Sequence, residues 1–389
     1  MSDQNLTSLR NLSERLAPVG DSLFEKWGRP AATPVERQEL EVLALSAAAG
    51  GYLGHVHANP SQPSFAPLWN PGLNLGGPCP DYVYMTAEID PRGTYRLSGW
   101  RGTSRFVDVV QTAWEMMGVT NASGVGLPTN DLDTLSISPE GYFSVILSAE
   151  RPAGYDGDWW ELKPTAIRIM IRQCSADWLR EVDARVAIVR LDDMAPLTPA
   201  DLSRRTANVS LWTEGIISFG MRLAKGYREK HGVNHLDRVQ YPGQDQYYYD
   251  AWYELDEDEA LIIDSAVPEN YRYWSILVAN DRFSTVDWVY RQSSLNDLQA
   301  RIDSDGRLRM VIAGRDPGVP NWLDKAANPC GIIQYRLNRA DEIPEPTMVR
   351  VKLDEVRKCL PADTPVVTPE ERRESLLRRA EAAQMRIYW

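Results

Sequence analysis

Runs of alternating apolar and polar residues, separated by turn sequences and not by crossover helices, limit most strongly how this chain can fold. Ile167-Arg168-Ile169-Met170-Ile171-Arg172 and Arg307-Leu308-Arg309-Met310-Val311-Ile312 both alternate, the period of strands whose successive side chains point to opposite faces. Further strand candidates lie at 82–89, 94–99, 142–148, 247–255, 261–265, 273–279 and 332–337, with β-branched and aromatic residues concentrated in them. Asp90-Pro91-Arg92-Gly93 and Asp303-Ser304-Asp305-Gly306 supply turns between them, because Pro fixes φ, Gly tolerates positive φ and Asp caps its own backbone. Parallel neighbours need long crossovers. Short strands without them predict a mainly β chain with helical additions (α+β): two antiparallel jelly-roll-like β-sandwich units joined by a helical segment.

A chain of 389 residues exceeds one ordinary core and predicts two domains. The expected order is a helical region over 1–60, a first β domain over 61–176, a helical connector over 177–239, a second β domain over 240–345, and a C-terminal strand and charged helix over 346–389. The two β units are candidates for distant copies of one plan. Thr33-Pro34-Val35-Glu36, Thr198-Pro199-Ala200-Asp201 and Thr368-Pro369-Glu370-Glu371 each read as a helix start. The Thr caps an orphan N–H, Pro has no N–H to lose, and the acid complements the positive helix end. The first helix is expected to stop at Gly50-Gly51. The second carries Trp212, Ile216, Phe219, Leu223 and Tyr227 at helical spacing, an apolar face that needs a partner.

Net charge of -12 disfavours a nucleic-acid partner, since phosphate binding needs a basic face. No apolar run approaches the length of a bilayer span, and the start Met1-Ser2-Asp3-Gln4-Asn5 has no signal-peptide pattern. Cys79, Cys174, Cys330 and Cys359 are scattered without a CxxC pair, so they read as free thiols and the expected compartment is the cytoplasm. No Walker loop, no GxGxxG after a strand and no GxSxG occurs, so no cofactor is expected. The expected partner is a small-molecule ligand. The charged last helix, with Ile387-Tyr388-Trp389, is the candidate contact of a homo-oligomer.

Several constellations carry chemistry. His55-Val56-His57 is the only close histidine pair; on an extended segment both rings would face one way and share a proton-transfer or metal role, although a third ligand is not apparent and no metal is expected. In Tyr247-Tyr248-Tyr249-Asp250-Ala251-Trp252-Tyr253 alternation puts Tyr247, Tyr249, Ala251 and Tyr253 on one face. Tyr248, Asp250, Trp252 and Glu254 share the other. An acid among aromatics is where desolvation raises a carboxyl pKa, and a polar outer strand face is the competing reading. Asp281 and Arg291 bracket a loop and can pair with each other or with a polar substrate. Tyr84 completes the catalytic candidates His55, His57, Asp250, Asp281 and Arg291. Trp159, in Trp159-Trp160-Glu161, can stand outside a core that takes its neighbour. With Tyr248, Trp252, Trp322 and Tyr335 it forms the substrate-binding candidates, aromatic walls being common in ligand pockets. There are 13 Trp and 17 Tyr against 6 Phe. In Asp316-Pro317-Gly318-Val319-Pro320-Asn321-Trp322-Leu323 the turn formers build a corner, with Trp322 either plugging a core or serving as a platform at a pocket rim.

The segment 273–336 resembles the domain-of-unknown-function family 1214 through Tyr273-Trp274-Ser275, Asn280-Asp281, Arg291-Gln292-Ser293-Ser294-Leu295-Asn296, Asp305-Gly306-Arg307-Leu308, the 316–323 corner, Gly331 and Tyr335-Arg336. Gly77-Pro78-Cys79-Pro80-Asp81-Tyr82-Val83-Tyr84, Asp90 and Tyr95-Arg96-Leu97-Ser98-Gly99 are similar to the N-terminal segment of the same proteins and to the companion family 1254. The resemblance implies a jelly-roll-like sandwich, an association with bacterial catabolism of hydrophobic compounds and envelope carbohydrates, and no established catalytic residues. Many such relatives are exported. The expected function is a cofactor-free lyase, hydratase or hydrolase on a small, largely apolar or glycosidic substrate. The alternative is a non-catalytic protein that binds carbohydrate or a hydrophobic ligand.

Overall fold

Alternation builds strands here because one face of each can be buried while the other meets a second layer. A computed structural model describes residues 9–26, 34–113, 127–240 and 245–386. The Thr33 cap and the terminal Ile387-Tyr388-Trp389 lie outside the described residues. All nine strand segments read from the sequence form strands, and the architecture is α+β with two sandwich-like units.

The first unit contains β1 (Ala66–Trp69), β2 (Tyr82–Glu88), β3 (Tyr95–Trp100), β4 (Phe106–Thr112), β5 (Thr129–Asp131), β6 (Tyr142–Ser148), β7 (Trp159–Glu161), β8 (Arg168–Cys174) and β9 (Arg185–Arg190). The second contains β10 (Asp237–Gln240), β11 (Gln246–Glu254), β12 (Glu259–Ser265), β13 (Tyr273–Asn280), β14 (Ser294–Asn296), β15 (Leu308–Ala313), β16 (Trp322–Asp324), β17 (Cys330–Asn338) and β18 (Thr347–Lys352). The first unit's sheets run β1-β2-β8-β4-β5 and β7-β6-β3-β9; the second unit's run β10-β11-β17-β13-β14 and β16-β15-β12-β18. Adding nine to each strand number of the first pair of sheets reproduces the second pair. Even the parallel pairs, β6 with β7 and β15 with β16, coincide. The two units therefore share one topology. Strand β9 falls within the stretch read as helical connector, and β18 closes a sheet of the second unit.

Each sandwich has its own core. Val107, Val109, Ile169 and Ile171 meet Tyr95, Leu97, Phe143 and Leu147 in the first. Tyr247, Tyr249, Trp274 and Tyr335 meet Leu261, Ile263, Met310 and Leu323 in the second. These are the alternate residues of each strand, so their neighbours form the opposite faces. The faces carrying Tyr82, Tyr84, Phe106 and Cys174 on one side and Trp252, Tyr273, Leu277 and Ile332 on the other are buried together. The two sandwiches thus enclose a third layer between their five-stranded sheets.

Helices line the junction. α1 (Leu9–Leu16) and α2 (Val19–Lys26) precede α3 (Pro34–Gly51), and α4 (Pro199–His231) and α5 (Pro369–Met385) follow later in the chain. Both α4 and α5 begin with complete capping boxes, at Thr198/Asp201 and Thr368/Glu371. α3 ends at Gly51, as the Gly50-Gly51 pair predicts, but the chain stays helical beyond it in a π-helical turn, Tyr52–His57, that ends at extended Ala58. A Cβ on Gly51 would lie 3.0 Å from Trp212 Cδ1 and 3.2 Å from the Val209 carbonyl, so glycine there also lets α3 approach α4.

Candidate functional site

The layer between the sandwiches holds buried polar side chains able to do chemistry, among them Asp108, Asp250, Gln334 and Arg336. β2 contributes Tyr82 and Tyr84, β8 Arg172 and Cys174, and β4 Phe106 and Asp108, with Tyr84 paired to Arg172 and Arg172 to Asp108 across the ladders. β11 contributes Tyr248, Asp250 and Trp252, and β17 Gln334 and Arg336, with Tyr248 opposite Arg336 and Asp250 opposite Gln334. Tyr84 and Tyr248 hold equivalent places in the two units, as do Arg172 and Arg336.

Arg336 is the hub. Its guanidinium carbon stands 5.0 Å from the Tyr82 ring centroid and 5.2 Å from that of Tyr248, and its Nε donates to the Tyr248 hydroxyl at 3.3 Å. Tyrosine faces offer a cation the negative side of their quadrupole. Asp250 is fully buried. The Tyr227 hydroxyl, from α4, donates to Asp250 Oδ2 at 2.8 Å. Desolvation pushes the Asp250 carboxyl up to about 7, against the opposing pull of Tyr227, Arg336 and Gln334, so near neutrality it can hold or release a proton. Burial also raises the hydroxyls of Tyr82 and Tyr84 above their ordinary range, which keeps them protonated as donors. The Tyr84 hydroxyl accepts from the Cys79 N–H at 3.2 Å.

Beside this centre a structural knot fastens the units. Asp81 accepts from Trp178 Nε1 at 2.7 Å, from Asn296 Nδ2 at 3.0 Å and from the Tyr273 hydroxyl. The Gly77 N–H donates to the Phe283 carbonyl at 2.7 Å. Three donors satisfy Asp81, so its role in holding the layer together is accounted for.

A cavity of about 230 Å³ opens at the edge of the layer, lined by Asp108, Arg172, Gln246, Asn338, Arg272 and Arg339 among others. Gln246 and Asn338 form the ladder pair two residues from Tyr248 and Arg336 on the same sheet face. Its inner wall is therefore the rung next to the hub. A larger cleft of about 640 Å³ lies elsewhere, between α3 and the loops carrying Arg282 and Arg291.

Of the sequence candidates, the structure brings Tyr84, Tyr248, Asp250 and Trp252 together. The face bearing Asp250 is no solvated outer surface: the other sandwich covers it. The remaining candidates lie apart. His55 is buried against Trp212, ring centroids 5.9 Å apart, and desolvation with Arg168 and Arg205 nearby lowers it to about 3. His57 is exposed. On the π turn, side chains two apart diverge, so the two rings do not share one direction as an extended segment would give. Asp281 pairs with Arg282 at 3.2 Å, and Arg291 with Asp324 at 2.8 Å, not with each other. Trp159 sits on the outer face of the first sandwich while Trp160 packs on its core. Trp322 is a buried plug whose Nε1 donates to the Ala313 carbonyl at 3.1 Å. Tyr335 is inside the second core. Burial among core side chains leaves Trp322 and Tyr335 no ring face for a ligand.

Sequence reasoning missed Arg336, Arg172, Tyr82 and Tyr227. The signal was available for the first: in Ile332-Ile333-Gln334-Tyr335-Arg336-Leu337, Gln334 and Arg336 share the face opposite Tyr335. Among the described residues, no group of three or more His, Cys, Asp or Glu could hold a metal ion, and no helix is long and apolar enough to cross a membrane.

Residues 249–340, β11 to β17 with their connections, match the family model described as "Protein of unknown function (DUF1214)". No curated protein matches the chain. The crystal structure of an uncharacterized protein from Burkholderia cenocepacia is similar, with a TM-score of 0.79 and 27% identity, covering 89% of this chain and 97% of that one. A Vibrio parahaemolyticus protein gives a TM-score of 0.48 at 12% identity, covering 87% of this chain and 100% of that one.

Proposed function

We propose, for a chain whose C-terminal module belongs to the DUF1214 family, that it is a cofactor-free catabolic enzyme of the lyase, hydratase or hydrolase kind. Its substrate is a small, largely apolar or glycosidic molecule, and its site is the layer between two jelly-roll-like sandwiches. The observation that carries this reading is Asp250: a wholly buried carboxyl titrating at about 7, with Tyr227 on one oxygen. A group half-protonated near the working pH is the most effective general acid or base. Arg336 supplies fixed positive charge where negative charge develops, and Tyr84 and Tyr248 supply O–H donors; in a low-dielectric layer these act more strongly than in water. The rings of Tyr82 and Trp252 provide apolar walls.

The experiment is capture of metabolites on the purified chain followed by mass spectrometry, before and after long incubation, with wild type and Asp250→Asn. A mass change with wild type, slowed about 10²–10⁴-fold in Asp250→Asn, is the expected result. Equal conversion by the variant overturns the role of Asp250. Recovery of unmodified ligand from both proteins favours the second reading, a binding protein, for which the closure of the layer around Tyr248, Trp252 and Arg336 speaks.

A further inference from the structure

Charge in the layer does not close. Arg336 is buried at 6% exposure, and among the described residues it makes no ion pair. Its Nη1 has no hydrogen-bond partner. Guanidinium does not deprotonate in proteins, and a buried cation without a counter-charge is costly. The two tyrosine rings beside it relieve only part of that cost. Asp250, diagonal to it on the same face, lies beyond ion-pair distance and is displaced toward its neutral form.

Three further observations converge on the same place. Arg172, the counterpart of Arg336 in the first unit, reaches Asp108 only at 3.4 Å, and its Nε is buried without a partner. The two arginines stand on opposite five-stranded sheets, and both act electrostatically on the hydroxyls of Tyr82 and Tyr84 between them. The hydroxyl of Tyr82, whose ring faces the Arg336 guanidinium, is itself buried and unpartnered. The cavity of about 230 Å³ has Arg172 in its wall and lies against the Gln246–Asn338 rung beside Arg336, with Arg272 and Arg339 also lining it. That volume lies below the range of drug-sized pockets, and Asp108 and Asp245 among its lining residues oppose a multiply charged ligand.

We infer that the layer takes a small monocarboxylate, its carboxyl group held between Arg336 and Arg172 with the Tyr82 hydroxyl as third donor. The planar fork of a guanidinium matches a carboxylate in two parallel hydrogen bonds. The apolar or ring-shaped remainder lies on the tyrosine faces. Arg272 and Arg339 raise the local concentration of anions in the cavity. This rests on the site reading above and narrows its substrate class to acids with one negative charge.

The test uses the full chain with acetate, hexanoate and benzoate as probes and benzamide as the uncharged match to benzoate. Thermal shift and calorimetric titration are the readouts. At least one carboxylate is expected to raise the unfolding temperature with dose, and benzamide is expected to leave it unchanged. Arg336→Gln should weaken the carboxylate by about 10²-fold, and Tyr82→Phe, which keeps the ring and loses only the hydroxyl, by about tenfold, as for a hydrogen bond to a charged group. Because Arg336→Gln also removes a buried charge, circular dichroism establishes its folding, and Tyr82→Phe decides the matter if it does not fold. No carboxylate binding, binding of benzamide as tightly as benzoate, or undiminished binding by folded variants overturns the proposal. Asp250→Asn separates the two claims. Carboxylate bound by a variant with full turnover refutes only the catalytic role of Asp250, whereas lost turnover without any carboxylate binding refutes only the carboxylate.

Discussion

Trp159 and Trp322 stand at the same point of the two sandwich units. Each opens a three-residue strand running parallel to its neighbour, Trp159 beside Ile146 and Trp322 beside Val311. Each indole N–H donates two residues further along that neighbour, to Ser148 Oγ at 3.0 Å and to the Ala313 carbonyl at 3.1 Å. The corner 316–323 is thus one copy of a device the chain uses twice. The Asp316 carboxylate accepts from the Gly318 N–H at 2.8 Å, and Gly318 takes φ of 71°. Asn321 bridges Arg301 and Arg309 through their backbones.

The copies differ in cover, which predicts different costs. Val356 and Leu360 pack over the face that holds Trp322, and Arg372 stacks on its ring at 5.1 Å. Trp159 is only half-buried, with Arg151 at 6.0 Å. Trp322→Ala is expected to lower unfolding free energy by about 3–5 kcal/mol in urea titration. Trp159→Ala should cost less than about half of that, because much of its ring already faces water. Equal losses would mean that the covering segment contributes nothing.

Period-two alternation and turn chemistry made the long central strands legible, since both are local properties of Ile167–Arg172-like runs and of Asp90-Pro91-Arg92-Gly93. The segments they missed, such as β5, β14 and β16, have three residues each, too few to show a period. The pairing of the units was not legible either. Tyr248 and Asp250 read as a polar outer face because alternation tells which residues share a face, not what covers it. Tyr84 belongs to the same layer through contacts more than 160 positions away, and Tyr227 reaches Asp250 from a helix whose periodicity announces only a buried stripe. His55 and His57 drew notice by spacing alone, and the π turn separates them.

Asp250 makes stability depend on pH in a definite sense. Its folded value of about 7 exceeds the ordinary aspartate value of about 3.9, so between these limits the native state binds the proton that the unfolded chain has released. Stability from this group is therefore undiminished below about pH 4, falls as pH rises, and levels off above about pH 7, a loss on the order of 4 kcal/mol. Asp250→Asn should remove that decline, leaving the variant more stable than wild type at pH 8 and similar at pH 4. Denaturant midpoints across this interval measure it; a variant with the wild-type slope would show that another group titrates.

His55 acts in the opposite direction. Burial and the two neighbouring arginines hold it at about 3, below the ordinary histidine value of about 6.5, so the unfolded chain takes up a proton that the native state refuses. This contribution is complete above about pH 6.5 and is lost progressively as pH falls toward 3. His55→Gln should flatten that acid limb in the same titrations. The ring's edge-to-face contact with Trp212 is lost as well, so the variant is also expected to be about 1 kcal/mol less stable at pH 8.

The C-terminal helix α5 joins the units through arginines spaced seven apart, which places them on one side of the helix after two turns. Arg372 binds Asp316 and Gln292, both at 2.8 Å, and the Val319 carbonyl. Arg379 reaches the Trp288 carbonyl at 2.8 Å and Ser294 Oγ at 2.7 Å, and stacks on Trp178 at 4.5 Å. Arg386, following the helix, donates to the carbonyls of Pro80 and Asp81 at 2.7 and 3.0 Å. The helix thus runs from the Trp322 corner of the second unit to the segment of the first unit that carries Tyr82 and Tyr84. Arg386→Ala strands two buried carbonyls and should cost about 2–4 kcal/mol, whereas Arg378→Ala, which breaks a solvent-exposed pair with Glu374, should leave the unfolding midpoint unchanged. Because Arg386 fixes the backbone leading into β2, Arg386→Ala should also weaken carboxylate binding at Arg336 without contacting the ligand. Titration of both variants with benzoate at a temperature where each is folded separates that coupling from simple destabilisation: equal affinities would confine the role of α5 to stability.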